Sequence, residues 1–121
     1  MRFTEHELTS ALTGAAKSVM ASDKQFRKSG RDIDTAWDEM GRHERFQLLD
    51  ALGSQILPVL VALPDVEVAT GSRAAYSNRQ VSETVAQLVE GDLGKLKRAV
   101  LIKARTALVQ AALANLPPRQ D

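Results

Sequence analysis

The sequence contains no cysteine, which excludes disulfide scaffolds, thiolate zinc sites, iron–sulfur clusters and cysteine nucleophiles. It has two histidines, His6 and His43. Neither belongs to a His-Glu-x-x-His pair or to another spacing that sets two imidazoles on one helix face, so solvated surface histidines and no bound metal are expected. Long apolar runs are missing as well. The most apolar stretch, Ile56 to Leu63, is interrupted by Pro58, whereas a bilayer span takes about 20 residues. Glu5, His6, Glu7 and Lys17 break up the first twenty residues, so neither a secretory signal nor membrane attachment is expected. The absence of thiols fits a reducing compartment, and the expected location is the cytoplasm. Nor does either sign of charge dominate. With 16 Lys and Arg against 15 Asp and Glu, the formal charge is +1, and no global field selects nucleic acid, an anionic membrane or an acidic substrate.

Catalytic signatures are lacking too. Gly91-Asp92-Leu93-Gly94-Lys95 is too short for a phosphate cradle and follows no strand. There is no Gly-x-Ser-x-Gly elbow and no Ser-x-x-Lys arrangement. Asp32, Asp34, Asp38 and Glu39 suggest a cation loop, but the glycine such a loop needs at its sixth position is replaced by Trp37. Helix capping accounts for Asp32 and Asp34. No catalytic set and no cofactor are expected.

What is present describes a helical protein. The 121 residues, 44% hydrophobic and 26% charged, are enough for one domain with one core. Thr4 with Glu7 has capping-box spacing, and Leu8, Leu12, Ala15, Ala16 and Val19 carry the first helix to about Met20. Ser22 or Asp23 caps a short second helix stopped by Ser29-Gly30. Asp32 opens a third helix bearing Ile33, Ala36, Trp37 and Met40. From Glu44 to Leu63 the apolar positions surround a fourth, central helix, which Pro58 should kink or end near Gln55 to Leu57. Residues 65 to 78 form an irregular connection, within which Val66 and Val68 suit one short strand paired with Arg2-Phe3 or with another subunit. Ser77 with Gln80 opens a fifth helix, and the last begins near Asp92 and runs to about Asn115, before Pro117-Pro118. Residues 117 to 121 are expected to be a flexible tail. The expectation is an all-α, single-domain bundle of five or six helices, about 70% helical, with a long C-terminal helix.

That last helix has two apolar sides. Leu93, Leu96, Val100, Ala104, Ala107, Leu108 and Ala111 form the main stripe, and Ile102, Val109, Leu113 and Leu116 form a second row. A helix apolar on two sides is buried in its own domain or docked on a partner. Since the fourth helix already claims the centre, the second row is the candidate interface, and a homodimer through the C-terminal helix is expected. The leading functional expectation is therefore a small, non-catalytic interaction module.

Charge distribution supplies the competing one. Residues 1–31, 32–70 and 71–121 carry formal charges of +3, −6 and +4. Basic clusters occur at Lys24, Arg27, Lys28 and Arg31, and at Lys95, Lys97, Arg98, Lys103 and Arg105. On their faces a nucleic-acid-binding regulator could neutralise phosphates. Val81, Val85, Ala86 and Gly91 before a basic helix also suggest a helix-turn-helix, but five residues from Ala86 to Gly91 is a poor register. Finally Trp37, the sole tryptophan, sits on a helix too short to persist alone and should be a buried anchor to the fourth helix, near Phe46 and Leu49.

Overall fold

A computed structural model describes residues 1–120. It is all-helical, with six helices covering about 69% of the chain. They are α1 (Glu5–Ser22), α2 (Lys24–Ser29), α3 (Ile33–Glu39), α4 (Arg42–Ala62), α5 (Asn78–Leu88) and α6 (Lys95–Ala114).

Local capping sets most of these boundaries. The Thr4 hydroxyl accepts from the Glu7 N–H at 3.1 Å while the Glu7 carboxylate accepts from the Thr4 N–H at 2.9 Å, closing a capping box on α1. Ser77 and Gln80 do the same for α5. Asp23 and Asp32 accept from Phe26 and Thr35 N–H groups at the starts of α2 and α3. Each cap satisfies a backbone donor that has no partner within the helix. Gly94 delays α6 to Lys95, three residues beyond the expected start, because its φ of 76° is left-handed and cannot continue a helix. Pro58 does not end α4, which runs on to Ala62. The missing proline N–H removes only the bond to the Ser54 carbonyl, and packing of Val59, Leu60 and Leu63 into the core holds the last turn.

α1 and α6, the first and last helices, pack on each other and both contact α4; α5 closes the bundle against α6 and α4. The core is one cluster centred on Ile56, Leu60, Leu63, Val81, Val85, Val109 and Leu116. Ala11, Ala15 and Ala16, fully buried, let α1 approach closely. Trp37 is buried as expected, at 7% exposure, but its helix rests on α1, reinforced by Lys17 Nζ against the Asp34 carboxylate at 2.9 Å. The expected link to Phe46 does not form. Phe46 is 65% exposed, and α3 makes its main helix contacts with α1 rather than with α4.

No strand forms among the described residues. Val66 and Val68 are half-buried against the core, and the segment that pairs is the next turn: Gly71 N–H donates to the Arg119 carbonyl at 2.8 Å and Arg119 N–H to the Ser72 carbonyl at 2.7 Å. The expected flexible tail is therefore tied down through residue 119, with Leu116 buried ahead of it; Asp121 lies outside the described residues. The connecting segment is further fixed by Tyr76, whose hydroxyl donates to the Pro64 carbonyl at 2.7 Å and whose carbonyl accepts from Gln110 at 3.0 Å. Burial, then the nearby Asp65 charge, pushes the Tyr76 phenol above its ordinary value.

Candidate interaction surface

The two apolar sides of α6 meet different fates, and in the reverse of the sequence expectation. Val109, Leu113 and Leu116 lie in the core, and Ile102 is half-buried where α6 meets α5. They are not available as a docking row. The physical reason lies in the neighbours: α1, α4 and α5 all approach α6 from that side, which a helical wheel of α6 alone cannot encode. The first part of the main stripe is left facing outward, while Leu108 and Ala111 at its far end are half-buried against the core. Leu96 is 80% and Val100 62% exposed, and Ala104 and Ala107 beyond them are exposed too. Leu88 and Leu93, at the corner between α5 and α6, are also exposed. At 100° per residue, Leu96, Ala104 and Ala107 all fall within about 40° of Val100, forming one continuous ridge. Large apolar groups are left in water at measurable cost, about 25 cal/mol per Å².

Lys97 and Lys103, three residues before and after Val100, stand about 60° to either side of this ridge. Both are exposed. Between α5 and α6 runs an open groove of about 600 Å³, with Lys103 and Ala107 on the ridge side and Ser82 opposite.

The basic residues do not form one surface. Lys24, Arg27 and Lys28 are exposed on α2, and Lys95 on α6. Arg31, by contrast, pairs with Glu39 at 2.6 Å. Arg98 donates to the Ala86 and Val89 carbonyls at 2.7 and 3.4 Å, completing the end of α5, whose last carbonyls lack donors of their own. Arg105 is half-buried, with its Nε enclosed and lacking a hydrogen-bond partner. Three of the nine basic residues in the two clusters are thus engaged or sheltered by the fold itself.

Two further features escaped the sequence reading. An apolar groove of about 610 Å³ lies between α1 and α4, with Leu12 on one wall and Leu49, Gly53, Leu57 and Val61 along the other. The four-residue spacing of that wall was its only signal, and the central-helix pattern absorbed it. The other feature is the buried Glu7 carboxylate, held by Arg119 at 3.1 Å. Burial alone would raise it, but the Thr4 N–H and the Arg119 guanidinium outweigh that and leave it below its ordinary value. Its oxygens are taken by cap and guanidinium, so the arrangement is structural.

Among the described residues there is no group of three or more His, Cys, Asp or Glu placed to hold a metal ion. No helix is long and apolar enough to cross a membrane. No protein-family model, curated protein or solved structure matches the chain.

Proposed function

We propose that this protein is a small, non-catalytic helical interaction module of the cytoplasm that docks through the outward ridge of α6. One observation carries the reading: Leu96 is 80% exposed on a helix whose opposite side already fills the core. Exposed aliphatic side chains in a contiguous row mark contact surfaces more often than isolated ones do. Self-association through α6, expected from the sequence, would have to use this ridge. Lys97 and Lys103 flank the ridge and α6 has no Asp or Glu, so two copies laid face to face would bring like charges together. A second protein of different chemistry suits the surface better.

Affinity capture from a cytoplasmic lysate, quantified for wild type and Leu96→Glu side by side, tests the assignment. Proteins held by wild type and lost from a Leu96→Glu variant of unchanged melting temperature support it. Identical captured sets remove it. Light scattering on the same preparations decides self-association, which requires a dimeric wild type and a monomeric variant.

A further inference from the structure

We infer that the occupant of the α6 ridge is an acidic amphipathic helix of a partner protein. This rests on the ridge being a docking surface, and adds what covers it. The apolar row is walled by a cation on each side, Lys97 on one and Lys103 on the other, and the whole of α6 offers no carboxylate to neutralise them. A partner helix that buries Leu96 and Val100 therefore brings its own flanks against lysines, where Asp or Glu is favoured and Lys or Arg is repelled.

The shape of the ridge narrows the partner further. Leu96 and Val100 project at one end, while Ala104 and Ala107 leave the other end shallow. Small residues let helix axes approach to about 8 Å, and the larger apolar side chains at that end must come from the partner. The partner's recognition pattern is then apolar residues three and four apart, bulky toward the Ala107 end, with acidic residues beside them.

Two other anionic surfaces fit less well. Nucleic acid would meet two aliphatic side chains where bases need aromatic stacking, and α6 has no aromatic residue. A lipid surface would gain little insertion from the alanine half of the ridge.

The test uses fluorescence anisotropy with three labelled synthetic amphipathic peptides, sharing one leucine face and differing only in polar residues: glutamate, glutamine or lysine. The full-length protein should bind the glutamate peptide about tenfold or more tighter than the glutamine peptide, and should not bind the lysine peptide. Lys97→Glu/Lys103→Glu should invert that order, and rising salt should erase the difference, since exposed charges are screened within about 10 Å at 0.1 M. Equal binding of the glutamate and glutamine peptides, abolished by Leu96→Glu, overturns the acidic partner while leaving the docking ridge standing. Failure of all three peptides to bind, or binding indifferent to Leu96→Glu, overturns both. Binding to phosphatidylserine vesicles in place of the glutamate peptide also overturns the inference.

Discussion

Arg119 and Glu7, 112 residues apart, meet at 3.1 Å across the seam where the two ends of the chain come together. The same arginine pairs its backbone with Gly71 and Ser72, so one residue joins the tail, the first helix and the long connection. Glu7 in turn serves both the guanidinium and the α1 cap.

The pH dependence of stability should report this pair. Because the folded state holds Glu7 below its ordinary value, its contribution is complete above the ordinary glutamate range and is lost as pH falls through the lowered folded value. Glu7→Gln should cost about 1 to 3 kcal/mol at neutral pH. In urea titrations at a series of pH values, the gap between wild type and variant should begin to narrow as pH falls through the ordinary glutamate range, about 4.3, and keep narrowing through the lowered folded value.

Gly14 faces Asn115 so closely that a Cβ on it would lie 2.1 Å from the Asn115 side-chain carbonyl carbon and 2.2 Å from its Cβ. Helix propensity alone favours Gly14→Ala by about 1 kcal/mol. The clash should reverse the sign, giving net destabilisation of about 1 to 3 kcal/mol. Asn115→Gly in the same chain removes the obstructing atoms, and differential scanning calorimetry should show the double variant recovering most of the loss that Gly14→Ala causes in the Asn115→Gly background's absence.

Truncating Trp37 to alanine should cost about 3 to 5 kcal/mol. The burial of this side chain also requires blue-shifted emission from the native protein. Since α3 rests on α1, the variant should lose protection from amide exchange first in α3 and the facing turns of α1, and last in α4.

Val109→Glu and Leu96→Glu separate the two sides of α6. The first buries a carboxylate in the core and should unfold the protein or cost several kcal/mol, as buried unpaired charges do. The second replaces a side chain that is already in water and should move the urea midpoint by less than about 0.5 kcal/mol equivalent.

Much of this architecture was legible in the sequence because caps and breakers act locally. Thr4 with Glu7, Ser77 with Gln80, Asp23, Asp32 and Gly30 each mark a helix end through groups within a few residues of one another. The parts that were not legible depend on distant partners. Nothing near Arg119 announces Glu7 or Ser72, so the tail read as free. Val66 and Val68 alternate like a strand but find the core rather than a pairing edge. On α6 both apolar rows were visible, yet which one faces inward is decided by where α1, α4 and α5 arrive. The row expected to face a partner thus lies in the core, and the opposite side of the same helix faces outward. Arg98 was read as a free cation for the same reason: its acceptors, the Ala86 and Val89 carbonyls, become available only once α5 ends and the chain turns back.

The packing of α1 on α6 has a consequence for biosynthesis. During synthesis α1 finds its main neighbour only when α6 has emerged, because α6 supplies Val109, Leu113 and Leu116 to the shared core. Until then Ala11, Ala15 and Ala16 and the inner side of α4 have no complete cover, and folding is deferred until α6 has cleared the exit tunnel. Nascent chains stalled before Leu116 should therefore remain protease-sensitive throughout, with protection arising in one step rather than helix by helix.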